Sequence, residues 1–473
     1  MVGRRRPVCV SLFAGAGGMT LGLSRAGFRC VGAVEADAKA AETFKRNLGT
    51  KFPDPDLLAL GPEDGDIRQV DFQSWRDRLR SLGHDTIDLI AGGPPCQAFS
   101  RVGRGKLNHL RAGGFLDDRR NRLWRDFFRA VRELSPRAFL IENVPGMLHH
   151  GGRNVAESLC LAGEDHGYRV RCALLNAAAF GVPQTRERLF ILGLRKELGL
   201  EPGFEAGERM VSLSRGHVAA HPWKADLFEH PELFQGMLLP DGTDAHAVTV
   251  GEALGDLPPF LDHLRARYKA RRPSRSMSYR RGAPGAYAKL MRGWSGFEST
   301  EVTDHVCKAT PRDYATFAAM SPGDRYPQAV VIAERRYRSA LFRWESAGRR
   351  GSRPRRASFV PPYRQDVFPE KWRKLVKDQP AWTVTAHLAK DTYSHIHYDS
   401  RQARMITVRE AARLQSFPDG YVFAGNIGDA FRQIGNAVPP LLGFALGRQI
   451  AGLLAGQVSV DAEGLVLVKR RAV

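Results

Sequence analysis

Over its first two hundred residues the chain alternates short apolar runs with amphipathic stretches, and the apolar runs stop at glycines or acids. Val8–Phe13 stops at Gly15, Gly17 and Gly18, and Cys30–Val34 at Glu35 and Asp37. Ile87–Ala91 stops at Gly92-Gly93-Pro94-Pro95, and Ala138–Ile141 at Glu142. Arg169–Leu175 and Leu189–Leu194 complete the series, and Asp66-Ile67 sits where one further strand would end. Between the runs, Thr20–Ala26, Ala38–Asn47 and Leu123–Leu134 read as helices. Strands that alternate with helices pair in parallel through right-handed crossovers, which predicts a doubly wound, Rossmann-like α/β sheet.

From about residue 201 to 400 the periodicity weakens, while arginines, prolines and aromatics accumulate. Arg265–Arg281 holds a dense arginine cluster with Tyr268 and Tyr279, and Arg335–Arg356 repeats that mixture. This predicts a second, loop-rich basic domain over 199–400, after a catalytic part over 1–198 and before a segment, 401–473, that returns to it. Val408–Gln415 and Pro439–Leu454 read as helices of that last segment. Lys and Arg total 71 against 50 Asp and Glu, a formal charge of +21, which favours a polyanionic partner such as nucleic acid. Apolar residues make up 43% of the chain, enough for a sizeable core, so disorder throughout is excluded. No uninterrupted apolar run reaches the roughly 18 residues of a membrane span; Leu441–Val460 is broken by Arg448 and Gln449. No membrane partner is expected. Six cysteines without a C-x-x-C pair suggest neither a disulfide framework nor structural zinc, and a reducing cytoplasm fits.

Four places carry chemistry. Phe13-Ala14-Gly15-Ala16-Gly17-Gly18 links a strand to a helix, where glycines let a ligand reach the backbone. Thr20 stands where a dinucleotide fingerprint needs its third glycine, but Glu35 follows at the distance where an acid holds ribose hydroxyls. Together they suggest a cofactor containing a nucleoside. Second, Pro94-Pro95-Cys96-Gln97 puts a thiol just past a strand's carboxyl end, on backbone that two prolines fix. Third, Glu142 closes the next strand, where a carboxyl held by burial can bond or protonate a ring nitrogen. Fourth, in Gln184-Thr185-Arg186-Glu187-Arg188, alternate residues share a strand face, so both guanidiniums can address one anionic group. His387, His395 and His397 lack an accompanying Cys or acid pattern and read as structural; no metal is expected.

In this order these segments resemble the DNA cytosine-5 methyltransferases, joined by Arg409-Glu410-Ala411-Ala412-Arg413-Leu414-Gln415-Ser416-Phe417-Pro418 and Gln433-Ile434-Gly435-Asn436-Ala437-Val438-Pro439-Pro440. The likeness covers roughly 8–195 and 380–450, and the basic middle falls where that family keeps its target recognition domain. It implies S-adenosylmethionine as cofactor. Phe13, Ala14, Gly15, Gly17 and Gly18 would face the methionine and adenosine parts, Glu35 the ribose hydroxyls, and Asp66 with Ile67 the adenine. Pro95, Leu123 and Asn436 would complete the pocket. The resemblance also implies Cys96 as nucleophile at C6 of a flipped-out cytosine in duplex DNA and Glu142 as the group at N3. Arg186 would steady the base or its phosphate, and Arg188 the active-site loop or the thiolate. Ser100–Asp118, with Arg101, Arg104 and Lys106, reads as a closing loop on phosphates, and Arg271, Arg272, Arg275, Arg280 and Arg281 as a DNA footprint in the middle domain. A cytoplasmic, monomeric enzyme of a restriction–modification system, partnered by a cognate endonuclease, is the corresponding setting. A tRNA cytosine-5 methyltransferase and a non-catalytic DNA-binding protein on the same fold are the alternatives. The long basic insert speaks against the first, and the presence of Cys96 and Glu142 against the second.

Overall fold

The computed structural model describes residues 5–52, 54–95, 123–149, 154–204, 227–237, 247–265, 268–272, 274–368 and 371–456, with the backbone of 458–460 and 466–468. Two compact units emerge. The first comprises Met1–Ala247, Val422–Ala424 and Asn436–Val473, and the second Val248–Tyr421 and Gly425–Gly435. These bounds differ from the sequence reading for two physical reasons. A strand at Phe234–Met237 still pairs with the first unit's sheet. In addition, the helix Val408–Leu414 is tied into the second unit by buried ion pairs.

The first unit is built on an eight-stranded sheet. In chain order its strands are β1 (Val8–Leu12), β2 (Arg29–Glu35), β3 (Leu58–Leu60), β4 (Leu89–Gly92), β5 (Ala138–Asn143), β6 (Tyr168–Asn176), β8 (Glu187–Arg195) and β9 (Phe234–Met237); the two-residue β7 (Gln184–Thr185) stays outside it. The spatial order is β3-β2-β1-β4-β5-β8-β6-β9. Strands β1 to β5 pair in parallel. Every residue of β1 and β4 is buried, as expected of strands covered on both faces. The prediction of uniformly parallel pairing fails at β8, which runs antiparallel to both β5 and β6. Between β6 and β8 lie only the turn Ala177–Phe180 and β7, too short a path for the crossover that parallel pairing needs.

The chain leaves β1 towards β2 on one side, while β4 and β5 lie on the other. The carboxyl ends of β1 and β4 therefore flank the switch point, where open α/β sheets form their ligand crevice. The helix Gly18–Arg25 follows β1 and packs against the helix Pro440–Leu454 and β2. The approach is so close that a Cβ on Gly22 would lie 2.4 Å from the Pro440 carbonyl oxygen. Thr20, in place of a third fingerprint glycine, is buried and shares a 2.8 Å hydrogen bond with the Ser11 hydroxyl of β1. Among the described residues the stretch Ile427–Leu454 is long and, on average, apolar enough to cross a membrane, although Asp429, Arg432 and Arg448 interrupt it. It is two helices, however, broken at Ala437–Pro439, and is mostly buried in the protein.

The second unit is less loop-rich than its composition predicts, because it holds the 21-residue helix Tyr326–Ser346. Pro327 suits that helix's first turn. Its buried residues, Tyr326, Ala329, Val330 and Ala333, follow the i, i+3, i+4, i+7 pattern and then stop, so arginines dominate the remaining turns. That stripe packs into a core with Phe317, Met320, Trp372, Ile396 and Met405. Beside it lies a cluster of buried charge. Arg404 donates to both Glu410 oxygens at 2.7 Å, and Arg413 is bidentate on Asp419 at 2.6 Å and also meets Asp256. Thr407 and Glu410 form a reciprocal capping box that starts the helix Val408–Leu414.

Burial keeps nearby imidazoles neutral. His395 and His397 are each lowered to about 3, and His305 to about 4, with loss of solvent the largest cause. Groups depressed in the folded state contribute stability that is present above the ordinary value near 6.5 and lost as pH falls towards the folded one. Urea unfolding is therefore expected to show a loss of about 2 kcal/mol per buried imidazole between pH 7 and pH 5. In His395→Gln the loss should be smaller by one such increment; a profile identical to that of the unsubstituted protein would contradict the assignment.

Candidate active site

At the carboxyl end of β1 the backbone turns through left-handed conformations at Phe13 (φ 51°), Gly15 (φ 56°) and Gly17 (φ 85°). A positive φ costs a side chain dearly and glycine little, which explains two of the three glycines. Ala14 N–H donates to Val34 O and Gly17 N–H to Ala14 O, both at 2.9 Å. Glu35, at the end of β2, then locks the loop. Its Oε2 accepts from Gly15 N–H and its Oε1 from Asp37 N–H, each at 2.7 Å. Burial raises the Glu35 carboxyl above its ordinary value, and the two backbone donors oppose that shift. Each oxygen keeps a further lone pair for a hydroxyl.

An apolar floor adjoins this loop. Phe13 and Leu123 are partly buried against one core cluster, and Ile67 is a member of it. All three thus meet one extended apolar core of the first unit. Asp66 caps the one-turn helix Ile67–Gln69 and pairs with Arg68, which holds its carboxyl below the usual range. Sequence reasoning missed Arg129. From the helix Leu123–Leu134 it donates to the carbonyls of Ile67 and Val70 and lies 4.9 Å from the centroid of the Phe72 ring. It is a positioning residue for the Asp66–Val70 turn. Its only sequence signal is its place at the border of the apolar face of an amphipathic helix.

Pro94 and Pro95 continue from β4, and Asn143 at the end of β5 donates from Nδ2 to Pro94 O at 3.3 Å. Beside them Glu142 Oε1 lies 3.0 Å from Arg188 Nε, with the two side chains 12% and 13% exposed. A Cβ on Gly93 would come within 3.0 Å of the other Glu142 oxygen, so the β4 turn runs directly along this carboxylate. Arg186 is buried, with Nη2 donating to Ala437 O at 3.0 Å. Burial and the Arg188 charge lower its guanidinium, and Glu142 opposes them. Arg188 thus pairs directly with the protein's own Glu142, while Arg186 is anchored on the Ala437 carbonyl. The antiparallel β5–β8 register sets this up, because Glu142 faces Phe190, two residues from Arg188. Asn436 ends the helix Ile427–Asn436 and is exposed.

Cys96, Arg101, Arg104, Lys106 and the expected closing loop lie outside the described residues. The other five cysteines, Cys9, Cys30, Cys160, Cys172 and Cys307, are buried. The Cys9, Cys160 and Cys307 thiols are pushed up, Cys9 and Cys160 chiefly by hydrogen bonds to neighbouring thiols and Cys307 by burial, which suppresses the thiolate.

The family profile of the C-5 cytosine-specific DNA methylases matches residues 8–452. The chain belongs to this family. It is 35% identical to M.OihORF3336P of Oceanobacillus iheyensis, provisionally named a type II methyltransferase, over 94% of this chain and 95% of that one. It is 32% identical to the type II methyltransferase M.AgeI of Thalassovita gelatinovora, over 93% of this chain and 98% of the relative. A solved E. coli prophage protein, provisionally described as a DNA modification methyltransferase, shares the fold with a TM-score of 0.62 at 22% identity, over 95% of this chain and 99% of that one.

Within the methylase's second unit the arginine cluster is not uniform. Arg271 and Arg281 are exposed. Arg275 lies 3.5 Å from Asp262, and Arg280 donates to Leu257 O. Arg272 departs from its expected role. Its side chain is 4% exposed, bidentate on Asp304 and bonded to Gly425 O, so it braces the unit and is not presented to a phosphate.

The loop geometry gives a direct expectation for Glu35→Ala. Removing both carboxylate oxygens that accept from the backbone should weaken S-adenosylmethionine binding at least tenfold while the far-ultraviolet circular dichroism stays that of the unsubstituted protein. Equal affinity by calorimetry would remove Glu35 from the pocket.

Proposed function

We propose that this methylase transfers a methyl group from S-adenosylmethionine to C5 of a cytosine flipped out of duplex DNA. The observation that carries the reading is the Glu142–Arg188 pair beside the Gly93–Pro95 turn that leads into Cys96. The cofactor pocket fits on chemical grounds: a left-handed glycine loop, an acid with lone pairs for a ribose diol, and an apolar floor of Phe13, Ile67 and Leu123. When bound, the cofactor supplies an electrophilic methyl group on a sulfonium.

The chain's own residues then have distinct tasks. Cys96 adds as thiolate to C6, forming an S–C bond and moving ring electrons towards N3 and C5. Glu142, as the carboxylic acid, gives its proton to N3 and as carboxylate accepts from the exocyclic amine, so the negative charge that develops on the ring is neutralised in place. Arg188 fixes the Glu142 carboxylate, and Arg186, anchored on Ala437 O, holds the adjoining backbone and adds positive potential. C5 becomes the carbon nucleophile. Loss of its proton and expulsion of Cys96 then restore the aromatic ring. The buried state of the other cysteines supports Cys96 in this role. The base must leave the stack for C6 to be reached, and the Ser100–Asp118 segment is the part of the chain that would close on it. Exposed arginines of the second unit, Arg271, Arg275, Arg280 and Arg281, would add phosphate contacts, and that unit would serve as the target recognition domain. The type II names of the relatives support a restriction–modification setting in the cytoplasm, with a cognate endonuclease as counterpart.

Duplex DNA carrying 5-fluorocytosine tests the chemistry, because fluorine cannot leave C5 as a proton does. With cofactor present the protein should form a complex that survives denaturation. Cys96→Ala should form none, Cys160→Ala should trap like the unsubstituted protein, and Glu142→Gln should trap at least a hundredfold more slowly. A complex that persists in Cys96→Ala would overturn the nucleophile assignment.

A further inference from the structure

The helix Tyr326–Ser346 buries only its first two turns. From Glu334 onward no residue of it is buried, although it carries Leu341, Phe342 and Trp344. Val331 is 58% exposed and Phe342 69%. With Arg335 and Arg338 these two occupy i, i+4, i+7 and i+11, one face of the helix.

The chain does not wander after this helix. Trp344 Nε1 donates to Gly351 O at 3.1 Å, Arg349 N–H to Trp344 O at 2.9 Å, and Tyr337 meets Phe359 with ring centroids 5.9 Å apart. The return segment is thus tied back on the helix. Residues 331–356 contain nine arginines and two glutamates, and one of these, Glu334, pairs with Arg356. Arg336 donates to Thr316 Oγ1, and Arg349 lies over the Trp344 ring. Arg335, Arg338, Arg343, Arg350, Arg353 and Arg355 are exposed and make no ion pair among the described residues.

We propose that this half-helix and its return form an arm that grips the phosphate backbone of duplex DNA, in addition to the Arg265–Arg281 cluster. Charge complementarity selects the partner. Apolar residues interrupted by arginines on one face do not make the continuous apolar stripe that a membrane-surface helix buries. Guanidiniums held on a preformed scaffold suit phosphates, which they bind without reading sequence. Phe342, set among them, gives the arm an apolar surface for a sugar or a groove edge. The choice of duplex DNA rests on the methylation reading, but the arm is testable apart from it.

The test uses the full chain and a fluorescent 40-base-pair duplex containing only A·T pairs, which offers no cytosine. Binding is measured from about 50 to 300 mM salt for the unsubstituted protein, R335Q/R338Q/R343Q and R350Q/R353Q/R355Q. Every arginine that no longer neutralises a phosphate should lower the log–log salt slope by about 0.9. Each triple variant should therefore show a slope smaller by about two to three units and bind at least tenfold more weakly at 100 mM. Should a triple variant fail to fold, the single substitutions R338Q and R353Q are each read for one phosphate. Unchanged slopes and affinities in folded variants would overturn the proposal. So would variants that lose binding to phosphatidylserine vesicles, or to single-stranded RNA, while keeping that to the duplex. Failure of the unsubstituted protein to methylate any cytosine-containing plasmid would sink the methylation reading alone, since the A·T duplex still judges the arm.

Discussion

The Glu35 carboxylate is the joint on which the first unit's site depends. By accepting Gly15 N–H with one oxygen and Asp37 N–H with the other, it fixes the end of β1 to the end of β2. The same residue thereby shapes the glycine loop and sets the start of the next helix, where Asp37 caps Lys39 and Ala40. The β2 end is held from its other side as well, because a Cβ on Gly65 would lie 2.1 Å from the Glu35 carbonyl oxygen. An acid so placed is costly to bury and is offset by fixed backbone dipoles. It is organised before any ligand arrives, which lowers the cost of ordering on binding.

A second joint lies between β5 and β8. The antiparallel run of β8 places Arg188 beside Glu142 and leaves Arg186 at the break between β7 and β8, anchored on Ala437 O. Glu142 and Arg188 thus come from adjacent strands of one sheet, while Arg186 sits at a strand break. In the second unit charge is used differently. Arg404, Arg409 and Arg413 are fully buried, and Arg404 and Arg413 are bidentate on carboxylates. Pairs of this kind contribute little net stability, but removing one partner leaves an uncompensated charge at a cost of about 3–5 kcal/mol. The Arg409–Pro418 segment, which marks the family in the sequence, therefore acts here as an internal scaffold.

Much of this was legible from residue order. The strand ends beside Phe13, at Glu35, at Gly92 and beside Glu142 follow from apolar runs that stop at glycines and acids, and the helix Leu123–Leu134 ends where its periodicity predicts. What was not legible depends on tertiary partners. The direction of β8 is fixed by the short path from β6, and the burial of Arg272 by Asp304, thirty-two residues away. The helix Tyr326–Ser346 escaped because its apolar stripe ends after two turns and arginines fill the remainder. Arg129 carries no motif of its own; it acts by hydrogen bonds to carbonyls of a distant turn.

The central claim is that this site methylates carbon 5 of cytosine and no other atom of DNA. The most direct measurement is mass spectrometry of the nucleosides released from plasmid DNA after incubation with the protein and methyl-deuterated S-adenosylmethionine. The account predicts deuterated 5-methyldeoxycytidine as the labelled nucleoside. Label in N4-methyldeoxycytidine or N6-methyldeoxyadenosine, or unlabelled DNA from a protein that binds both DNA and cofactor, would contradict it.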